Sequence, residues 1–121
     1  MAEQDAEYRA KYKQLLNNSQ VLVRFTITTV STFPRSARQS LSDRMVNLSI
    51  DVLTLVIDVA TNPSLEIDEE MLKKIKSPLL SLNALFIVCY DLQYVPAKAF
   101  GEFGRIYNLI KDLLNYLTLR A

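Results

Sequence analysis

From Leu41 onward, apolar residues recur at alternating intervals of four and three: Leu41, Met45, Leu48, Val52, Leu55 and Val59. That spacing lines one face of an α-helix and predicts a helix over about 35–60. A second stripe on the same segment, Val46, Ile50, Leu53, Ile57 and Ala60, keeps the same rhythm. At about 100° per residue the two stripes lie roughly 140° apart. Asp43, Arg44, Asn47, Asp51, Thr54 and Asp58 hold only the remaining arc. A helix serving a single core needs a stripe little wider than about 100°. The segment therefore predicts two burial surfaces.

The excess recurs near the C-terminus. Phe103, Tyr107, Ile110, Leu114 and Leu117 form one stripe, flanked by Ile106, Leu109, Leu113 and Tyr116, in a helix expected over about 96–119. A third helix, about 67–93, is apolar nearly all round between Leu79 and Tyr90. Its start carries Glu66, Asp68, Glu69 and Glu70 ahead of Lys73, Lys74 and Lys76, acid before base as the helix dipole prefers. Pro78 is expected to kink this helix or to mark its true start. The first helix is expected over about 5–31. Within it Val21 to Val30 alternates as a strand would, yet a lone strand has no partner in a helical chain.

The linkers are short: Thr32–Pro34, Thr61–Leu65 and Tyr94–Val95. Short connections make consecutive long helices antiparallel, so the expected fold is all-α: an antiparallel up-down four-helix bundle. A chain of 121 residues is one such domain, spanning 1–121. With only two glycines and four prolines there are few turns for a strand-rich alternative. Surplus apolar surface on three helices implies assembly into a homo-oligomer. Val46, Ile50, Leu53 and Ile57 with Ile106, Leu109, Leu113 and Tyr116 are the candidate interface.

The corner Phe33 to Met45 (FPRSARQSLSDRM) turns the first helix into the second and places Arg35, Arg38 and Arg44 around it. Pro34, with fixed φ and no N–H, suits a helix start. Cations there oppose the helix dipole. Three readings stay open: the arginines meet an outside partner, they meet a carboxylate, or they are simply solvated.

Chemistry is sparse. The chain has no histidine, which removes the usual acid–base group at neutral pH. One cysteine, Cys89, sits in the apolar run LNALFIVCY and reads as a buried inert thiol. There is no second cysteine for zinc and no glycine-rich phosphate loop; Gly101 and Gly104 read as sites of close helix packing or of local weakness. Asp51, Asp58 and Asp91 are the remaining candidates, and they read as solvated or ion-paired carboxylates. The expectation is a protein that is no enzyme and binds no cofactor or metal. The longest apolar run falls short of the ~20 residues that cross a bilayer. Without a signal peptide or disulfide framework, the expected place is the cytoplasm, and no membrane contact is expected.

Net charge is +1, so nucleic-acid contact requires an uneven distribution. No acidic residue occurs between Glu7 and Asp43, a span holding Arg9, Lys11, Lys13, Arg24, Arg35 and Arg38. Antiparallel packing gathers Arg24, Arg35 and Arg38 toward one end of the bundle and Arg9, Lys11 and Lys13 toward the other. Tyr8 and Tyr12 interleave with the latter group as candidate base-stacking residues. A solvated charged face remains the plain alternative.

Two segments carry a family resemblance. PRSARQSLSDRMVNLSIDVLTLVIDVA resembles the second helix of the accessory variability determinant proteins of diversity-generating retroelements. SPLLSLNALFIVCYDLQYVPAKAFGEFGRIYNLIKDLLNYL resembles their third helix, proline-bearing loop and fourth helix with its Gly-Arg pair, here Gly104 and Arg105. These proteins belong to a wider four-helix group that includes the ribosomal-RNA intervening-sequence proteins. The resemblance implies a non-catalytic pentameric barrel that binds a reverse transcriptase and its template RNA and supports mutagenic reverse transcription. It places Arg35, Arg38 and Arg44 at the family's basic start of helix two, and Arg105 at its helix-four arginine. Where members carry arginines along helix three, this chain has Ser81, Asn83 and Ile87. The other implied reading is a structural homo-oligomer of the intervening-sequence type without nucleic-acid binding.

Overall fold

A computed structural model describes residues 2–61 and 67–118. Among them there is no strand. Four long helices are present: α1 (Ala2–Val30), α3 (Asp43–Ala60), α4 (Glu69–Asp91) and α5 (Ala97–Thr118), with a short helical turn α2 (Arg35–Ala37) before α3. No described helix is long and apolar enough to cross a membrane. Beyond Thr61, the sequence-predicted linker 61–65 lies outside the described residues, as does Glu66.

α1 packs against α3 and α5, and α4 packs against the same two, closing a square around one core. Contacts fix which ends meet. Tyr8 of α1 meets Tyr116 of α5, edge to face with centroids 6.1 Å apart. Ile67, just before α4, donates its N–H to the Leu117 carbonyl of α5 at 3.4 Å. Cys89 Sγ lies 3.8 Å from Met45 Sδ. Phe33 and Tyr94, one from each connection at the opposite end, pack with centroids 5.6 Å apart.

Buried positions repeat by fours and threes on every long helix. On α3 they are Met45, Ser49, Val52, Val56 and Val59, with Leu48 buried beside them; on α4, Ile75, Leu79, Leu82, Phe86 and Cys89. That repeat is the seam geometry of helices crossing at a shallow angle. Phe86 sits at its centre, stacked on Phe103 at 3.9 Å and beside Phe25 at 6.1 Å.

The core face of α1 is Tyr8, Tyr12, Leu15, Ser19, Leu22, Thr26 and Thr29, again in fours and threes. Its two fully buried small hydroxyls, on Ser19 and Thr26, are satisfied internally. Ser19 donates to the Leu15 carbonyl and Thr26 to the Leu22 carbonyl, both at 2.8 Å. A helix lets a small hydroxyl bond back one turn, so it enters a core without an orphan donor. Val21–Val30 is helical throughout.

The second expected helix is interrupted. Arg38–Ser42 is a π-helical turn between α2 and α3. Ala37 and Ser42 are both buried, five residues apart, while the next steps down α3 are three and four. A turn closed five residues on keeps both on the core side. The Ser42 hydroxyl is buried there without a hydrogen-bond partner.

Asp68 caps α4, accepting from the Met71 N–H at 2.8 Å with extended backbone. The helix runs through Pro78, so Pro78 does not mark its start. At the far end Gln93 takes the left-handed conformation, φ 64°. The Tyr94 N–H then reaches the Cys89 carbonyl at 2.8 Å and the Gln93 N–H the Tyr90 carbonyl at 3.0 Å. Those two bonds form a Schellman cap with glutamine where glycine is usual.

Candidate nucleic-acid and assembly surfaces

At the basic corner, Arg38 is held differently from any of the three readings of its arginines. Arg38 Nε donates to the Phe33 carbonyl at 3.3 Å and Nη2 to the Ser31 carbonyl at 3.4 Å. These carbonyls lie just past the last residue of α1, Val30, beside the negative end of its dipole. The cation that opposes its own helix start thus serves the end of the previous helix. Arg35, Arg24 and Arg44 are exposed, and no salt bridge involves them among the described residues.

At the other end Arg9 and Lys13 are exposed. Lys11 is half-buried, its Nζ 5.2 Å from the centroid of the Tyr116 ring, whose hydroxyl bonds the Glu7 carboxylate. Tyr8 and Tyr12 do not offer rings to bases. They are 3% and 8% exposed because they fall on the core repeat of α1. Arg105 Nη2 bonds Glu102 Oε1 at 2.6 Å. The hydrogen bond from Arg105 holds the Glu102 carboxyl below its ordinary range and raises the guanidinium in turn. The pair is neutral as a unit.

The candidate interface divides. Ile106 and Leu113 are core residues, 1% and 8% exposed, and are not available to a second subunit. Tyr116 is half-buried and engaged with Tyr8, Lys11 and Glu7. The cause is rotational: α5 points both flanks of its stripe inward at these levels, and only Leu109 stays exposed. On α3 the second stripe is only partly outside, since Val46 and Ala60 pack against the core. Ile50 and Ile57 are 41% and 43% exposed, and Val46 and Leu53 are half-buried.

Helical register locates that stripe. The other flank of α3, through Leu48 and Leu55, lines a groove shared with Pro78 and Ser81 of α4. The Ile50–Ile57 flank therefore lies on the α1 side. A matching apolar flank exists on α4. Leu80 and Ile87 are 53% and 43% exposed, on the side away from Pro78 and toward α5. Tyr90 beside them stacks on Phe100 of α5 at 4.4 Å. In the square, the α1/α3 and α4/α5 sides are opposite each other. The sequence signalled the α4 surplus only as a helix apolar all round.

Gly104 lies one helical turn after Phe100, which stacks on Tyr90 of α4, and a Cβ at Gly104 or Gly101 meets nothing within 4 Å. Close packing within the chain does not explain these glycines. No group of three or more histidine, cysteine, aspartate or glutamate residues suited to a metal ion occurs among the described residues. Asp51 and Asp91 line separate clefts. Cys89 is fully buried, and burial pushes its thiol up.

No protein-family model, curated protein or solved structure matches this chain.

Proposed function

We propose that this chain is a non-catalytic accessory protein: an antiparallel up-down four-helix bundle that assembles with copies of itself. In this reading it works in the cytoplasm, binding a reverse transcriptase and its template RNA as the accessory variability determinant proteins do. The observation that carries the reading is the pair of exposed apolar flanks on opposite sides of the square. Opposite, non-identical faces suit head-to-tail contact, and head-to-tail contacts with the right rotation close into rings. A pentameric barrel is the ring that the family resemblance supplies. Stacking copies would repeat the exposed Arg24, Arg35 and Arg44 around the ring and turn modest local charge into a concerted field.

The competing reading is a structural homo-oligomer without nucleic-acid affinity. It draws support from Lys11, Arg38 and Arg105, whose charges are engaged within the chain. Two measurements separate the possibilities. Sedimentation of the wild type is expected to show an oligomer, and Ile50→Lys with Ile57→Lys a smaller, still helical particle. A monomeric wild type would overturn the assembly. A salt titration of binding to a structured RNA is expected to be linear on a log–log plot. Assembly without RNA binding at low salt would favour the structural reading.

A further inference from the structure

The third side of the square, between α3 and α4, holds an open groove of about 590 Å³. That volume is within the ~300–1,000 Å³ of small-ligand sites. Its floor is apolar, from Leu48 and Leu55 on α3 and Pro78 on α4. Arg44 stands toward one end and Lys74 toward the other. Lys74 Nζ reaches Glu70 only at 4.0 Å, with both side chains largely in solvent, so its charge remains available.

Between the two cations lie groups that accept hydrogen bonds. Asp51 is seven residues from Arg44 on the same helix, about 10 Å along its axis, and has no salt-bridge partner among the described residues. The Lys74 carbonyl receives no N–H from residue 78, because proline has none. The hydroxyls of Thr54 and Ser81 line the groove and make no hydrogen bond among the described residues, whereas Ser19, Thr26 and Ser49 each bond back to their own helix.

We propose that this groove binds a short single-stranded ribonucleotide segment, with Arg44 and Lys74 meeting phosphates and Asp51 accepting from a ribose 2′-hydroxyl. The inference rests on the RNA-binding reading above and assigns it a place and a chemistry. A carboxylate between two phosphate sites weakens binding of the backbone as such. It is repaid only by a donor, and the 2′-hydroxyl is the donor that RNA has and DNA lacks. The apolar floor takes the face of a base. A docked peptide helix would prefer an unbroken apolar strip; here the carboxylate and hydroxyls interrupt it and the cations close it off. The groove lies on neither apolar flank, so self-assembly through those flanks leaves it open in every copy.

Fluorescence anisotropy with fluorescein-labelled oligo(rU) and oligo(dU) of equal length tests this on the full chain. The wild type is expected to prefer oligo(rU), and Asp51→Ala to reduce that preference by about tenfold without weakening oligo(dU) binding. Arg44→Gln is expected to lower the slope of log K against log salt by about 0.7, one single-strand phosphate contact. Circular dichroism confirms that each variant keeps its helices. Equal binding of the two oligonucleotides by the wild type, or an Asp51→Ala variant that keeps the full preference, overturns the proposal. If RNA binds and Thr54→Trp in the groove changes nothing, the groove is excluded while the RNA reading survives at the Arg35 corner. If neither oligonucleotide nor structured RNA binds, both fail together.

Discussion

Replacing Arg38 with methionine separates a structural cation from a binding one. Methionine keeps the aliphatic length and removes the two donors. Lost are the bonds to the Ser31 and Phe33 carbonyls, at 3.4 and 3.3 Å, and the favourable charge at the end of α1. A cation near a helix C-terminus contributes about 0.3–1 kcal/mol when exposed. The bonds are long and solvent-facing, so they add only a few tenths of a kcal/mol. The expected loss is about 1 kcal/mol. With unfolding entropy near 2.1 cal/mol/K per residue over 121 residues, that is a fall in Tm of about 4 °C. Arg35→Met is the control. Arg35 opens α2 with no such bonds, where a cation opposes the dipole, so its loss should leave Tm unchanged or slightly raised. Thermal unfolding by circular dichroism at low and moderate salt reads both. An Arg38→Met variant melting within 1 °C of wild type, or an Arg35→Met variant losing as much, would refute the assignment.

Other consequences follow from the same physical reasoning. Gln93→Gly should stabilise the fold by about 1 kcal/mol in urea titrations, because glycine relieves a left-handed backbone that costs a side chain roughly that much; an unchanged midpoint would argue against the Schellman geometry. Ser42→Ala should also stabilise, by about 1 kcal/mol, since it removes a buried hydroxyl that lacks a partner. A loss instead would show that the hydroxyl is bonded. Cys89 sets a pH dependence: burial raises the folded thiol above the ordinary 9.0 of the unfolded chain. The unfolded state then holds fewer protons, so native stability falls as pH rises past that value, by at most about 1.4 kcal/mol per pH unit. Urea unfolding at pH 8 and 10 should show a steeper decline for wild type than for Cys89→Ala, and equal declines would contradict the burial. Gly104→Ala should weaken assembly measured by sedimentation while leaving helix content intact; stronger assembly would remove the α4/α5 side from the interface.

The periodicity of the chain determined the helical class, the bounds of α5 to within a residue and the end of α3 at Ala60, but not the π-helical turn that sets the start of α3 at Asp43. Those features are local, since a 3.6-residue period and a turn-forming proline act through near neighbours. Pro34 fixed the start of α2 in the same way. The candidate sites were less legible, because the rotation of a helix about its axis is set by what packs on it. Ile106, Leu109 and Leu113 look equivalent along the chain, yet the inward turn of α5 buries the outer two and exposes the middle one. The core face of α1 was hidden for a related reason: Ser19 and Thr26 read as polar until carbonyls one turn back absorb their hydroxyls. Tyr8 and Tyr12 read as free aromatic rings until the core takes them in. Charge shows the same division. Composition gave the acid-free span from Glu7 to Asp43, but only the approach of one helix end to another's start assigned Arg38 to the Ser31 and Phe33 carbonyls. Sequence sets the alphabet of faces each helix offers; tertiary contact decides which face meets protein and which meets water, because burial is a property of pairs of helices and not of one.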